Sequence, residues 1–509
     1  MSGKGGIFSL PDIKHNGQAV FDVKDRANIF ARKFAFVSSN ANYSESFHDH
    51  KEMFEEANAS LFEKHENDDC SINADFTMQE FLTAIKGRTN SSPGKDEVCY
   101  IMFKHMSVKC LHTFLRFFNM VWRSGEIPLS WKSALVTPIL KPGKDKFAPE
   151  SYRPIALTSN LSKLLERMVS NRIYFFMESK GLFNIHQAGF RKGKRTLDHL
   201  VRLSEDIRRG LATGQYTVGV FLDIHRAYDM VWKKGLLYKI FKLGISGNTF
   251  NFINSFLHGR RIQVRLGRVL SDQFSVENGV PQGSVISPLL FILMINDLDL
   301  GSLVNQSLFA DDTGIWKSHR NLSFLQTKVQ NALDCIGGWC DLWGFKVSVE
   351  KTKVIVFAKR PVRTDFQLVY DGRPLEIVKE HKFLGIYFDN RLSWGPHISC
   401  IVTKCLKGLN LLRVLSGRYW GSSKETLCYI YKAVIRPIID YGCEIYASAC
   451  PSILGQLDCV QTRCLRVCTG ALQCTAVASL EVDCGVMPLD LRRQLCKGEV
   501  GCFLYVFFQ

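Results

Sequence analysis

Three aspartates stand out because each follows an apolar stretch that is typical of a β-strand. Tyr216–Leu222 is a run of β-branched and aromatic residues that ends at Asp223. Ser307–Ala310 is a second strand candidate, and it leads into the adjacent pair Asp311 and Asp312. Because like charges repel, carboxylates grouped at strand ends favour neutralisation by a bound cation.

The chemistry that suits such a group is metal-assisted phosphoryl transfer. Mg²⁺ is a hard ion that prefers carboxylate oxygens and keeps coordination positions for substrate phosphates. Two such ions, roughly 3.5 to 4 Å apart, hold the attacking and leaving oxygens of an in-line displacement. Asp223 beside Asp311 would supply the carboxylate oxygens that bind the two ions. Each part alone is a weak signal, since an acidic pair is commonly a polar turn and an aspartate at a strand end is commonly a helix cap.

A loop rich in glycine and proline, Asn278–Phe291, lies between the two acidic positions. Gly279 and Gly283 permit positive φ and a close approach of the backbone. Gln282 offers an amide, and a long apolar helix is predicted after Pro288. The order of strand and aspartate, loop, then strand and aspartate pair is a much stronger signal than any one part.

Composition limits the class of protein. The chain has 509 residues, of which 46% are hydrophobic and 22% charged, so it can bury a sizeable core and is not disordered throughout. No apolar run approaches the ~20 residues of a membrane span, so no membrane partner is expected. Lys plus Arg exceed Asp plus Glu by 65 − 48 = 17, which points to a polyanionic partner; a merely well-solvated basic protein is the alternative, and charge alone does not decide between them.

The positive charge is concentrated in one region. Residues 131–210 carry 16 Lys or Arg against 7 Asp or Glu. The densest segment is Phe190–Arg195, in which glycine and an aromatic residue accompany the cations. Lysine and arginine neutralise backbone phosphates and release counterions. We therefore expect this segment to bind nucleic acid through Arg191, Lys192, Lys194 and Arg195; a charged surface loop without a ligand is the alternative.

The cysteines indicate little by their number alone. There are 17, twelve of them from Cys400 onward, with no Cys-x-x-Cys pair and no histidine beyond His397. A zinc knuckle needs tight thiolate pairs with nearby histidines, so reduced thiols are expected. Met1–Lys14 lacks the apolar core of a secretory signal, which favours an intracellular protein, in cytoplasm or nucleus.

Helical spacing and strand composition predict the elements around these motifs. Helices are predicted over Ala27–Phe36, Ile101–Trp122 and Leu161–Phe176, and a strand over Leu135–Leu140. The last of these leads into a basic turn that begins at Lys141.

The ordered motifs resemble those of reverse transcriptases, in particular of LINE-type (non-LTR, jockey-like) retrotransposons. The three signature segments are FLDIHRAYD at 221–229, NGVPQGSVISPLLF at 278–291 and LFADD at 308–312. Further similar segments are SSPGKD at 91–96, PILKPGKD at 138–145, SYRPIALT at 151–158, QAGFR at 187–191, WGFKVSVEKTKVIVF at 343–357, FLGIYFD at 383–389, DYGCEIYASA at 440–449 and LDCVQTRCLRVCTGA at 457–471. The resemblance runs from about Ser91 to about Pro488.

The resemblance implies roles for individual residues. Asp223 and Asp311 would bind two Mg²⁺ ions (Mn²⁺ is possible), with Asp312 assisting. Tyr228 matches the aromatic residue beneath the incoming sugar that excludes a 2′-OH. The residues expected to contact the nucleotide are Lys141, Arg153, Gln282 and Gly283, and Lys351 matches a lysine near the leaving pyrophosphate, where it could donate a proton.

The resemblance also implies contacts with nucleic acid in the later part of the chain. Phe383, Leu384 and Gly385 would form a hairpin that holds the primer. Basic residues beyond Asn390 would meet the duplex backbone, namely Lys404, Lys407, Arg413 and Arg418.

The expected fold is the α+β right-hand polymerase, with basic, helical fingers, an antiparallel-sheet palm and a helical thumb. The expected domains are an N-terminal helical extension (1–90), fingers and palm (91–389), a thumb (390–450) and a cysteine-rich C-terminal extension without ribonuclease H (451–509). An endonuclease would have to come from another chain or a missing segment. His225 and Met230 depart from the common family residues, but they flank the chemistry.

The expected function is synthesis of DNA from dNTPs on an RNA template with a DNA primer. Two alternatives remain open at this point: an inactive remnant that only binds nucleic acid, and an RNA-dependent RNA polymerase. Tyr228 opposes the second, and the intact aspartates oppose the first.

Overall fold

The structure is a computed structural model, which describes residues 13–15, 18–66, 70–89, 92–362, 365–417 and 420–496. Ser91 and Arg418, which the sequence analysis named, lie outside the described residues. The same holds for parts of the expected N-terminal and C-terminal extensions.

The helices follow one another along the chain with strands between them. The α-helices are α1 (Val23–Val37), α2 (Glu45–Ala57), α3 (Met78–Ile85), α4 (Tyr100–Lys104), α5 (Val108–Ser124), α6 (Asn160–Ser179), α7 (Thr196–Ala212), α8 (Lys233–Lys242), α9 (Gly247–Leu257), α10 (Ser287–Met294), α11 (Leu322–Trp343), α12 (Gly395–Leu415), α13 (Lys424–Ile430), α14 (Arg436–Asp440), α15 (Cys443–Tyr446), α16 (Pro451–Thr469) and α17 (Val477–Asp483). A π-helical turn, Tyr431–Ile435, joins α13 to α14, and residues 489–496 are also helical.

The strands are mostly short. They are β1 (Ile13–His15), β2 (Gln18–Val20), β3 (Ser133–Leu140), β4 (Tyr152–Leu157), β5 (Tyr216–Asp223), β6 (Arg261–Leu266), β7 (Val269–Leu270), β8 (Phe274–Ser275), β9 (Asn305–Phe309), β10 (Asp312–His319), β11 (Lys353–Phe357), β12 (Val369–Tyr370), β13 (Arg373–Pro374), β14 (Glu376–Ile377), β15 (Glu380–Phe383) and β16 (Ile386–Asp389).

The chain folds into two compact units, and unit 1 takes in the described residues of 1–190, 224–299 and 335–347. Its sheet has the order β4-β3-β6-β7, with β8 also paired to β6. β3 is antiparallel to β4 and parallel to β6. Helix α1 packs on this sheet, and Phe30, Val136, Tyr152 and Val264 share one apolar core. The first helix of the expected N-terminal extension therefore belongs to the core of the unit.

Unit 2 takes in the described residues of 191–223, 300–334 and 348–509. Its main sheet has the order β14-β11-β5-β10-β9. Strand β5 lies in the middle and is antiparallel to both β10 and β11. The edge strand β14, of two residues, is parallel to β11. The antiparallel sheet expected from the sequence is present, with a short parallel edge added.

The later helices of unit 2 share one apolar core with this sheet. Helix α12 packs along α16 and against β16. The turn before α12 depends on Asp389, whose carboxylate accepts from the backbone N–H groups of Ser393 and Trp394, both at 2.9 Å. Trp394 is fully buried with φ +65°, and its indole N–H donates to Ser448 Oγ at 3.0 Å.

Most of the elements predicted from the sequence are present, with shifted ends. The predicted strand before Asp223 is β5, and the predicted helix over Leu161–Phe176 is α6. The prediction of one continuous helix over Ile101–Trp122 was wrong, because this segment forms two helices, α4 and α5. Ser107 accounts for the division, because its Oγ accepts from the N–H of Cys110 and caps a new helix.

The helix after the glycine-proline loop is shorter than predicted. α10 spans eight residues and begins with Pro288 in its first turn. Its residues are buried on every side except at Pro288, so the apolar run reflects burial rather than length. Within the described ranges, no helix combines the length and hydropathy that a membrane crossing requires.

The cysteines of the described ranges form no disulfide. Eight of the thirteen that lie from residue 335 onward are buried, including Cys405, Cys443 and Cys464. Burial raises the pKa of the Cys405 thiol to about 11, which keeps it protonated at neutral pH. That the thiols are reduced stays a prediction from the sequence.

We expect Asp389→Ala to lower the free energy of unfolding by about 1–3 kcal/mol, because two backbone N–H groups lose their acceptors. Asp389→Asn keeps a single acceptor oxygen, so its free energy of unfolding should lie between that of Asp389→Ala and that of the parent. The midpoint of urea unfolding measures the difference. Asp341→Ala, on the exposed side of α11, is the control; equal midpoints for Asp389→Ala and the parent would contradict the prediction.

Candidate active site

The three aspartates predicted to bind metal lie at one end of the unit 2 sheet. Strand β5 ends at Asp223, and β10 begins at Asp312 directly opposite it in the register. Asp311 lies in the tight turn between β9 and β10, where Ala310 has φ +55°. The antiparallel pairing of two strands thus brings together residues that are about ninety positions apart in the sequence.

The electrostatics of this group are unfavourable when no cation is bound. The side chains of Asp311 and Asp312 reach solvent. The protein atoms around them nevertheless displace enough water from the carboxylates to raise the pKa values of both. The charge of Asp223 raises the pKa of Asp311 further. Together with the charges of both neighbours, burial raises the pKa of Asp312 to about 6. Concentrated negative charge is therefore the main property of this site.

Lys351 supplies the nearest positive charge. Its Nζ donates to Asp223 Oδ2 at 3.0 Å, and the side chain remains well exposed. Lys351 stands just before β11, which pairs with β5, and Ser348 N–H donates to the carbonyl of Asp223 at 2.8 Å. The sheet register thus positions this lysine beside the carboxylates.

The donor set fits a divalent cation. Three carboxylates supply hard oxygen ligands, and one exposed ammonium group does not balance their charge. Burial raises the pKa values of Asp311 and Asp312, and negative charge adds to the shift, from Asp223 in both cases and also from Asp311 in the case of Asp312. A bound cation would relieve this repulsion.

Tyr228 and the glycine-proline loop are both in unit 1. The ring of Tyr228 stacks on Phe291 of α10, with ring centroids 4.4 Å apart and planes at 20°. Gln282 donates its side-chain N–H to Asp229 Oδ1 at 2.8 Å. The backbone of Val280 donates to the carbonyl of Tyr228 at 2.9 Å. The loop is therefore held directly against the turn that carries Tyr228.

Two glycines allow this close approach. Gly279 has φ +84°, and a Cβ there would lie 2.6 Å from the carbonyl oxygen of Asp229. Gly283 has φ +95°, and its Cβ would lie 2.4 Å from the carbonyl oxygen of Ala156 on β4. At either position the Cβ of any other residue would clash with backbone atoms. The loop therefore requires glycine both for its positive φ and for the close approach of the neighbouring backbone.

Lys141 and Arg153 lie at the same end of the β3–β4 hairpin. Arg153 is opposite Ile139 in the register, and Lys141 N–H donates to the carbonyl of Ser151 at 2.8 Å. The Lys141 ammonium donates to the carbonyl of Glu150 at 3.0 Å, whereas the Arg153 side chain is exposed. The structure brings these two cations together on one hairpin.

The basic segment expected to bind phosphates is a turn followed by α7. Lys192 and Arg195 are exposed, and Arg191 and Lys194 are partly buried. Farther along unit 2, Lys404 and Lys407 are exposed on α12 at a spacing that places them on one side of the helix. Arg413 lies on the other flank of α12 and donates to Asn410 Oδ1 at 3.2 Å.

The segment expected to hold the primer is the tight turn between β15 and β16. Leu384 and Gly385 both have positive φ there, +45° and +89°. Phe383 is buried and its ring packs 4.8 Å from that of Phe221. Contact between this turn and a nucleic acid would therefore involve the backbone of the turn rather than the Phe383 ring.

Sequence reasoning did not single out two acidic residues of unit 1. Asp229 is half-buried, and burial raises its pKa to about 6 although the Gln282 hydrogen bond opposes the shift. Glu166 is fully buried on α6 and accepts from the backbone N–H of Val285 at 2.7 Å. A charged residue among the apolar positions of α6 was the only signal that could have indicated Glu166.

The described residues also contain a cluster of potential soft-metal ligands in unit 2. The side-chain donor atoms of Cys443, Glu444 and Cys496 all lie within 4.8 Å of one another. Sequence spacing could not indicate this group, because Cys496 is far from the other two along the chain. Arg492 is close to the same region and binds Asp440 at 3.0 Å, which lowers the attraction for a cation.

Comparison with known proteins agrees with this geometry. The family described as "Reverse transcriptase (RNA-dependent DNA polymerase)" matches residues 139–388, the span that contains all three aspartates. Members of this family in general use divalent metal ions, and the match implies a right-hand polymerase fold for this chain.

Individual relatives indicate which kind of reverse transcriptase this chain resembles. The chain is 32% identical over 404 residues to a probable RNA-directed DNA polymerase from transposon BS of Drosophila melanogaster, covering 77% of this chain and 44% of that protein. It is 32% identical over 397 residues to the corresponding X-element protein of the same species (76% and 43%). It is 28% identical to the RNA-directed DNA polymerase from mobile element jockey (82% and 46%).

The chain therefore belongs to the reverse transcriptases of LINE-type retrotransposons. It spans about half the length of the curated relatives it matches. Among solved structures, apo telomerase from Candida tropicalis aligns over 57% of this chain and 59% of that one, at 13% identity and a TM-score of 0.35.

We expect the stability difference between Asp229→Asn and the parent to depend on pH. The pKa of Asp229 is raised from 3.8 to about 6 in the folded protein, so the folded state holds its proton more tightly than the unfolded state. Stability of the parent then falls as the pH rises from about 4 to about 6. The neutral Asn variant lacks this loss and still offers an acceptor to Gln282.

The free energy of unfolding of Asp229→Asn, relative to the parent, should rise by up to about 3 kcal/mol between pH 4 and 7, at ~1.4 kcal/mol for each unit of pKa shift. Denaturant unfolding at several pH values measures this. A difference that is the same at every pH would contradict the raised pKa of Asp229 in the folded protein.

Proposed function

We propose that this chain is an RNA-directed DNA polymerase that adds dNTPs to the 3′-OH of a DNA primer along an RNA template. The observation that carries the proposal is the register that sets Asp312 opposite Asp223, with Asp311 in the adjoining turn. Membership of the reverse transcriptase family supports the same reaction.

Asp223, Asp311 and Asp312 are proposed as ligands of two Mg²⁺ ions, for which Mn²⁺ could substitute. When bound, the ions would neutralise the charge that develops on the transferred phosphoryl group. The carboxylates provide oxygen donors held by two paired strands, so their spacing costs no reorganisation at the moment of reaction.

Lys351 is proposed to donate a proton to the leaving pyrophosphate. Its ammonium group is within hydrogen-bonding distance of Asp223 and is exposed enough to move to another acceptor. A cationic lysine in this position can also hold the carboxylate in place while the site awaits its substrates.

Unit 1 is proposed to contact the incoming nucleotide. Lys141 and Arg153 occur on one hairpin, as is suitable for binding a triphosphate. Gln282 and Gly283 lie on the loop that is held against the Tyr228 turn. Tyr228 stacks on Phe291, which fixes the plane of its ring and thereby supports a steric selection against the 2′-OH.

Nucleic acid is proposed to bind the basic segment and the exposed side of α12. The segment contributes Arg191, Lys192, Lys194 and Arg195, and the helix contributes Lys404 and Lys407. The β15–β16 turn, with Phe383 and Gly385, is proposed to touch the primer through its backbone, since the Phe383 ring is buried.

The finer division of the chain is also a proposal. Residues 91–389 would form fingers and palm, 390–450 the thumb, 1–90 an N-terminal extension and 451–509 a C-terminal extension. The unit 2 sheet with its aspartates has the antiparallel order expected of a palm, and helix α12 begins at Gly395, close to the proposed start of the thumb.

Primer extension by the purified chain tests the proposed function. RNA and DNA templates would each be offered with dNTPs and with rNTPs, in Mg²⁺ or Mn²⁺. Extension with dNTPs on RNA supports the proposal. Extension only with rNTPs would indicate an RNA polymerase, and template binding without extension would indicate an inactive remnant.

We expect Asp223→Ala and Asp311→Ala each to abolish primer extension while template binding stays nearly unchanged. Each variant removes one proposed metal ligand, and each ~1.4 kcal/mol of lost transition-state stabilisation costs about tenfold in rate. Single-turnover extension and filter binding measure the two effects. A rate within about tenfold of the parent for either variant would show that the metal assignment is wrong.

We expect Tyr228→Ala to admit ribonucleotides while dNTP addition continues at reduced efficiency. The ratio of kcat/KM for dGTP to that for GTP should fall by well over tenfold, more than about 1.4 kcal/mol of discrimination. Tyr228→Phe keeps the ring and its stacking on Phe291, so it is the matched control and should keep the parent ratio. A general loss of activity with an unchanged ratio would show that Tyr228 only packs the interior.

A further inference from the structure

The carboxylate of Glu166 lies in the interior of unit 1. Glu166 is on α6 with none of its surface exposed, next to the fully buried Leu165 and close to Met168 on the same helix. A carboxylate in an apolar interior costs several kcal/mol unless hydrogen bonds and opposite charge compensate it. The partners of Glu166 therefore indicate what the residue does.

Each of its two oxygens accepts a hydrogen bond of 2.7 Å. Oε1 accepts from the Ser162 hydroxyl, one turn earlier on α6, and Oε2 accepts from the backbone N–H of Val285. The buried Arg260 guanidinium is near enough for the two charges to interact. Burial lowers the pKa of Arg260 to about 10, and the charge of Glu166 acts in the opposite direction.

The bond to Val285 is the one that reaches outside the helix. It joins α6 to the far end of the loop that carries Gln282 and Gly283. The near end of that loop is held by the backbone N–H of Gly279, which donates to Val231 at 2.8 Å. The segment with Gln282 and Gly283 thus lies between two backbone hydrogen bonds, one of which is accepted by a buried carboxylate. Gln282 adds a side-chain bond to Asp229 between them.

We propose that Glu166 is a positioning residue for the nucleotide: it fixes the backbone at Val285 and thereby the placement of Gln282 and Gly283. Glu166 is proposed to act through the loop and not by touching the substrate. The inference rests on the proposed function, because it assigns the loop to nucleotide binding. A misplaced loop weakens nucleotide binding more than the chemical step, since the metal ligands belong to a different unit of the chain.

Three substitutions separate the hydrogen bond from the charge. Glu166→Leu keeps most of the volume and loses both. Glu166→Gln keeps an acceptor for the Val285 N–H, because the Ser162 hydroxyl can reverse and accept from the new amide. Glu166→Asp keeps the charge but is one methylene too short to reach Val285 from its present place on α6.

Glu166→Leu and Glu166→Asp should raise the KM for dNTPs by about tenfold or more, with kcat within about threefold of the parent. Glu166→Gln should stay within about threefold of the parent in both constants. Ser162→Ala is the matched control, since it removes the other hydrogen bond and leaves Val285 anchored. If Leu proves insoluble, the Asp variant carries the test; an unchanged KM for Asp would overturn the proposal.

Amide hydrogen exchange of peptides covering residues 279–287 gives a readout that does not depend on activity. Exchange should accelerate in Glu166→Asp and remain at the parent rate in Glu166→Gln and Ser162→Ala. Unchanged exchange in Glu166→Asp, or a fall in kcat at constant KM, would overturn the role of Glu166. If the parent extends no primer, the proposed function is refuted. The hydrogen-exchange result would then still show whether Glu166 holds the backbone at Val285.

Discussion

The repulsion among Asp223, Asp311 and Asp312 is the constraint on which the site in unit 2 depends. Three carboxylates at one end of a sheet are held together by the antiparallel pairing of β5 with β10, which sets Asp312 opposite Asp223. Burial and the charges of Asp311 and Asp223 together raise the pKa of Asp312, which is the direction expected of carboxylates held close to one another. A site built in this way is incomplete without positive charge, which is what a phosphoryl-transfer enzyme requires of its metal site.

Unit 1 also contains carboxylates that are withdrawn, wholly or in part, from water. Glu166 is removed from water and Asp229 is half-buried. Each carboxylate accepts a hydrogen bond from the glycine-proline loop, Asp229 from the Gln282 side chain and Glu166 from the Val285 N–H. The glycines make these contacts possible, because a Cβ at residue 279 or 283 would overlap backbone atoms. The position of the loop is thus defined by hydrogen bonds to buried carboxylates and by close backbone contact.

The C-terminal part of unit 2 depends on apolar packing instead. Helices α12 and α16 share a core with the main sheet of unit 2, and Trp394 enters this core in a left-handed conformation that the Asp389 carboxylate supports. Buried cysteines contribute to this core as small apolar residues. Phe383 is part of the same core, packed on Phe221 of β5, which connects the β15–β16 hairpin to the strand that bears Asp223.

The sequence by itself determined the family and the strand that ends at Asp223, because these follow from local composition and from ordered motifs. It also indicated the two glycines, since only glycine satisfies the contacts they make. It missed the break between α4 and α5, because the apolar pattern continues across the capping residue Ser107. Only the tertiary structure decided that Asp312 faces Asp223, that the Phe383 ring is buried and that Glu166 anchors Val285. Each of these depends on contacts between residues distant in sequence, which local composition does not record.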